Sequence, residues 1–165
     1  MPVTNVVTDA GARTMTLTAQ FDASVERTWQ LYADPRRLEK WWGGGPGAPI
    51  TIVDHDLSAG GWVRAQLITP EGRKVHAYWR ILAVDAPHRL EWEDGMLDDR
   101  GEPSTDFPPT STRMRLTERD GGGTVMTIVV GFPSAEAMQF YLDMALEAEM
   151  SQYVERADAL LAELS

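Results

Sequence analysis

The chain has 165 residues, 43% of them hydrophobic and 24% charged, with a formal net charge of −10 and no cysteine. The length suits one domain with a real core. The negative field disfavours nucleic acid and anionic membranes, and the absence of cysteine excludes disulfides, thiolate metal sites and cysteine nucleophiles.

Residues 1–13 are polar with a few small apolar side chains. They are expected to form a flexible N-terminus ahead of a single domain over 14–165. They lack the basic start and apolar block of a signal peptide, and no apolar run approaches the roughly 20 residues of a bilayer span. A cytoplasmic protein without membrane insertion is therefore expected. The stretch TMTLTAQFDAS (14–24) alternates, with Met15, Leu17, Ala19 and Phe21 on one face, and predicts a half-buried strand. Ser24 suits a helix N-cap, and Glu26 suits the positive end of the helix that carries Val25, Thr28, Trp29 and Tyr32. Asp34-Pro35 ends that helix and opens a second, barely two turns long, over 36–42.

Strands follow. ITIVDHDL (50–57) is short, and residues 60–87 read as a hairpin turning at Pro70-Glu71-Gly72. HRLEWED (88–94) alternates Leu90 and Trp92 with Glu91 and Glu93. Residues 94–110 are acidic and proline-rich, which predicts a long loop or lid; this segment and residues 43–47 are expected to be the most mobile internal parts. Residues 111–132 predict a second hairpin turning at 120–123, and Pro133-Ser134 opens one long helix to about Leu164. A large antiparallel sheet with one long helix at its end must use that helix to cover one face, and the gap between them is where a ligand lies.

The stretch FDASVERTWQLYADPRRLEKWWG resembles the opening signature of the START-like (SRPBCC) superfamily. Within it, the branch of activator-of-heat-shock-protein-ATPase homologues is the most similar. Asp22-Ala23, Trp29, Asp34-Pro35, Leu38, Trp41, Trp42 and Gly43 match its pattern. GGWVRAQLITPEGR, Ala86-Pro87 with Arg89-Leu90, and STRMRLTERDGGGTVMTIVV resemble its later strands and turns. The resemblance covers roughly residues 14–164. It implies an α+β helix-grip fold of the START/Bet v-like kind: a seven-stranded antiparallel sheet around a long C-terminal helix, with two short helices after the first strand. It does not choose among lipid carriers, cyclases, receptors and co-chaperone domains, because one fold hosts them all.

The paired tryptophans before the glycine run either cap the core or close one end of the cavity. Adjacent helical residues point about 100° apart, so one of the two is expected to face inward, and Trp42, next to the glycines, is the choice. His55, His76 and His88 have no metal-ligand spacing, and no metal or other cofactor is implied. No Gly-x-Ser-x-Gly elbow occurs, and GGGPG follows a helix rather than opening one, so neither a hydrolase nor a dinucleotide site is indicated. On the 74–84 strand two faces compete. If His76, Tyr78 and Arg80 point inward, Tyr78 and Arg80 can hold a ligand's oxygen or carboxylate. If Ala77, Trp79 and Ile81 do, the polar set is solvated; Leu82 and Val84 lean slightly toward the first arrangement, and a one-residue shift reverses it.

The expected cavity wall is Trp42, Tyr78, Trp92, Met126, Ile128, Leu146 and Met150, with Arg80 as a polar contact and Phe107 reaching over from the lid. Leu142, Leu146, Met150, Tyr153, Ala157, Leu160 and Leu164 keep a core spacing on the last helix. Phe140, Tyr141, Met144, Ala145 and Ala148 add an apolar surface that borders either the cavity or the partner of a homodimer. The preferred function is non-catalytic binding of a hydrophobic or amphipathic small molecule. The alternatives are a cyclase or dehydratase acting on a polyketide-like substrate, with Tyr78, Arg80 or an acid polarising it, and a protein-binding co-chaperone module.

Overall fold

The computed structural model describes residues 2–43 and 49–163. Four of the five residues of the expected 43–47 hinge, and Leu164 at the expected helix end, lie outside them. The elements are β1 (Val3–Asp9), β2 (Thr14–Phe21), α1 (Val25–Ala33), α2 (Pro35–Trp41), β3 (Ile50–His55), β4 (Trp62–Ile68), β5 (Lys74–Asp85), β6 (Arg89–Leu97), β7 (Thr110–Glu118), β8 (Thr124–Gly131), α3 (Ala135–Asp143) and α4 (Leu146–Glu163). The strands form one antiparallel sheet in the order β1-β2-β8-β7-β6-β5-β4-β3.

Local chemistry explains most boundaries. Ser24 Oγ accepts from the Arg27 amide and caps α1, and Asp34 caps α2 through the Arg36 amide with Pro35 in the first turn. In β2, Met15, Leu17, Ala19 and Phe21 are buried while the threonines between them are half-covered. The same alternation buries Met126, Ile128 and Val130 in β8, and Met114 and Leu116 in β7. These side chains share the concave face.

Three features differ from the sequence reading. Residues 3–9 are not a loose terminus: they form β1, paired along β2, so the sheet has eight strands rather than seven. A bulge between Val3 and Asn5 spaces the inward residues Val3 and Val6 three apart, which hides the period of two. Secondly, β6 runs on to Leu97, and Leu97 bridges to Pro103, so the expected 94–110 loop is partly strand. Thirdly, the C-terminal helix is broken. The last turn of α3 closes as the Ala145 amide donates to the Leu142 carbonyl; Ala145 takes a left-handed φ of 61°, and α4 restarts at Leu146. An alanine there costs about 1–2 kcal/mol against the right-handed conformation, so packing on both sides of the break must outweigh it. Past the break, α4 buries Val154, Ala157, Leu160 and Leu161, and it leans on α1, α2 and β1.

Candidate functional site

A cavity of about 330 Å³ lies between the sheet and α4. Trp79, Trp92, Met126, Ile128 and Val130 line it from the sheet. Leu146, Met150, Tyr153, Val154 and Ala157 line it from the helix, all on one side of α4. Leu31, Tyr32, Trp41, Trp42 and Ile50 add the wall supplied by α1, α2 and the start of β3. Met144 and Glu149 also line it yet are exposed, so the cavity reaches solvent beside the α3–α4 break.

Aromatic rings dominate one wall. Trp79 and Trp92 stack at 4.2 Å between centroids with 21° between planes; Trp42 packs on Trp79 at 4.8 Å. Tyr32 meets Trp41 edge-on at 5.1 Å, and its hydroxyl donates to Met126 Sδ. Trp41 Nε1 donates to the Leu31 carbonyl at 2.8 Å, which locks that ring. Both tryptophans of the pair therefore face the cavity, not one. The 100° rule fails because α2 stops at Trp41, and Trp42 takes extended backbone (φ −88°, ψ 144°). Arg156 holds this corner by donating to the carbonyls of Trp41 and Gly43. Gly43 is required here: its φ is +104°, and a Cβ would stand 2.6 Å from Ile50 Cγ2.

Of the expected wall residues, Trp42, Trp92, Phe107, Met126, Ile128, Leu146 and Met150 all line the cavity. Phe107 comes from the segment after β6, meets Phe140 edge-on at 6.1 Å, and is braced by the Tyr141 hydroxyl donating to the Pro108 carbonyl. Tyr78 and Arg80 do not line it, and the expectation that they face a ligand is corrected. Ala77 and Trp79 of β5 are the inward residues there. A bulge between Ile81 and Ala83 explains the misleading clue: it brings Val84 onto the inward face with Ile81 and leaves Leu82 48% exposed. On the outer face Tyr78 lies over its cross-strand partner Gly95, beside Trp62 at 5.2 Å, and its hydroxyl donates to Glu93. Arg80 pairs with the same Glu93 at 3.5 Å.

The sequence reading missed Asp94. It follows Trp92 by two residues on the inward face of β6, opposite Trp79 of β5 and Thr110 of β7. Extending the Leu90–Trp92 alternation by one step reaches it, but residue 94 also opens the acidic, proline-rich stretch that predicts a loop. Burial pushes the Asp94 carboxyl up to about 7, the neighbouring Trp92 draws it down, and the Glu149 charge adds to the rise. The Trp92 indole N–H acts on Asp94 without the geometry of a formed hydrogen bond, and neither it nor Trp79 Nε1 has a partner among the described residues. Glu149 at the rim accepts the Tyr153 hydroxyl. Burial raises Tyr141 to about 12, and burial with the Glu149 charge raises Tyr153 further.

Elsewhere two of the three histidines serve the frame. His55 Nε2 bonds the Tyr32 carbonyl, and His88 pairs with Glu118. Among the described residues no helix is long and apolar enough to cross a membrane.

An antiparallel sheet gripping a helix over an apolar cavity defines a helix-grip, ligand-binding-type domain. The sequence profile described as Activator of Hsp90 ATPase homolog 1-like protein matches residues 22–162, and the chain belongs to that family. It is similar to protein Ms6760 from Mycobacterium smegmatis, whose crystal structure is 47% identical over 97% of each chain with a TM-score of 0.86. A protein from Arthrobacter aurescens, known from solution NMR, is 36% identical over 98% of this chain and 92% of its own, with a TM-score of 0.89. DynU16, from the dynemicin biosynthetic locus, is 19% identical over 91% of this chain and 47% of its own, with a TM-score of 0.64, and shares the fold alone. No curated protein matches the chain significantly.

Proposed function

We propose that the chain binds a largely apolar small molecule in the cavity between the sheet and α4, without catalysing a reaction on it. One observation carries the reading: about 330 Å³ of space enclosed by aromatic, methionine and aliphatic side chains from every layer of the fold. An apolar ligand there gains on the order of 25 cal/mol for each Å² it removes from water. Met126, Met144 and Met150 give an adaptable wall.

A cyclase- or dehydratase-type enzyme is the second reading, favoured by Asp94. A carboxyl that exchanges its proton near neutral pH on the wall of an apolar cavity suits general acid–base catalysis. It ranks below binding because the nearest second acid, Glu149, is exposed at the rim and already engaged by Tyr153.

The test is calorimetric titration of decanol, a neutral probe, into the wild type and into Ile128→Trp. Ile128 lines the cavity and is 7% exposed, so an indole in its place fills the space. Binding at micromolar to submillimolar concentration is expected for the wild type and not for the variant, with unchanged circular dichroism. No binding to the wild type, or equal binding to a folded variant, would overturn the reading.

A further inference from the structure

The charged residues that line the cavity are Asp94 and Glu149; no lysine, arginine or histidine lines it among the described residues. Tyr78 and Arg80 face outward, and the nearby cation Arg156 is spent on the carbonyls of Trp41 and Gly43 and lies 5.3 Å over the Tyr153 ring. No cationic side chain pairs with Asp94 among the described residues. Asp94 is half-buried on the wall of an apolar cavity, where a carboxylate with no cationic partner is costly.

The surroundings of Asp94 are aromatic. Its cross-strand neighbour Trp79 and its same-face neighbour Trp92 are stacked, and Tyr141 and Tyr153 come toward it from α3 and α4. The negative faces of such rings attract a cation, while the Trp92 indole N–H at the ring edge acts on Asp94 and favours its ionised, counter-ion form. The net charge of −10 acts in the same direction over a longer range.

Resting on the binding function proposed above, we infer that the cavity takes an apolar molecule bearing a protonated amine, with Asp94 as its counter-ion and the Trp79–Trp92 pair beside the ammonium. Fatty acids and other carboxylates are disfavoured, since they would meet Asp94 and Glu149 with no cation to offset them. The neutral tail lies along Met126, Ile128, Leu146 and Met150, and Glu149 at the rim attracts the incoming cation.

Protonation adds a signature. The titratable groups facing Asp94 are Glu149 and Tyr153 from α4 and Tyr141 from α3, with Tyr78 beyond the sheet; all three tyrosines have raised values and stay neutral between pH 6 and 8. An alkylamine, similar to a lysine side chain, keeps its proton over that range, with a pKa of about 10.4. Asp94 does not, so amine affinity should rise with pH while the affinity of a neutral analogue does not.

The experiment titrates decylamine, decanol and decanoate, each below its micelle concentration, into the full chain at pH 6 and pH 8, and into Asp94→Asn. At pH 8 decylamine should bind at least tenfold more tightly than decanol, and decanoate most weakly. At pH 6, and in Asp94→Asn, the advantage of the amine should shrink severalfold. The wild-type comparison decides even if the variant does not fold. Decanol binding with no preference for the amine at pH 8, or decanoate binding as tightly as decylamine, overturns the counter-ion role and leaves the cavity reading standing. An amine preference that persists undiminished at pH 6 and in a folded Asp94→Asn overturns it as well. If none of the three binds, the cavity reading fails and the inference with it.

Discussion

Asp94→Asn should make the protein more stable, and by an amount that depends on pH. Asparagine keeps the shape of the side chain and cannot ionise. In the folded chain burial holds the Asp94 proton up to about pH 7, whereas the ordinary value is 3.8. A group raised in the folded state leaves stability intact below its unfolded value and withdraws it as pH rises to the folded one. The loss is about 1.4 kcal/mol per pH unit between those limits. From pH 5.5 to pH 8 the wild type should therefore lose up to about 2 kcal/mol relative to the variant. Water entering the cavity screens the carboxylate and brings the expected difference to about 1–2 kcal/mol, or roughly 2–8 °C in Tm for a chain of this size. Urea unfolding of both proteins at the two pH values measures it. The net charge of −10 weakens both chains as pH rises, so only the difference between them is informative. A variant advantage equal at pH 5.5 and pH 8 would show that Asp94 does not titrate in this range in the folded protein, and the argument from its burial would be wrong.

Gly95→Ala should destabilise the sheet by about 1–3 kcal/mol, because the new Cβ would stand 2.8 Å from Tyr78 Cε1 in a tightly covered position. The same change in a Tyr78→Ala background should cost markedly less, and additive costs in that double-mutant cycle would refute the contact. Arg156→Ala should cost about 1–3 kcal/mol by freeing the carbonyls of Trp41 and Gly43, and should shift tryptophan fluorescence as the Trp42–Trp79 contact loosens. Unchanged denaturation and spectra would mean that this corner is held by packing alone.

Much of the molecule was legible from local patterns. The alternation of Met15 to Phe21, the caps at Ser24 and Asp34, and the turns at residues 70–72 and 120–123 depend on neighbours in sequence, and each predicted its element. Seven of the nine expected site residues line the cavity, and for Trp92, Met126, Ile128, Leu146 and Met150 the reason is the same, since period two or period 3.6 decides which face a side chain shares. What defeated the reading was backbone irregularity. The bulges at Val3/Asn5 and Ile81/Ala83 change parity without leaving a mark in composition, so β1 was missed and Tyr78 and Arg80 were turned the wrong way. The break at Ala145 carries no glycine to announce it.

Hydrophobic periodicity and turn chemistry are local, so the alternating sheet faces and most of the apolar wall were legible in the sequence; the helix-grip class followed from the family resemblance, and one tryptophan was expected at the cavity where both stand. The cavity's electrical character depends on contacts between strands. Arg80 and Asp94 lie on neighbouring strands: Arg80 goes outward to Glu93, and Asp94 goes inward beside Trp79 and Trp92, with no cationic side chain paired to it among the described residues. A charge's neighbours across a sheet come from distant parts of the chain, and no window of sequence contains them.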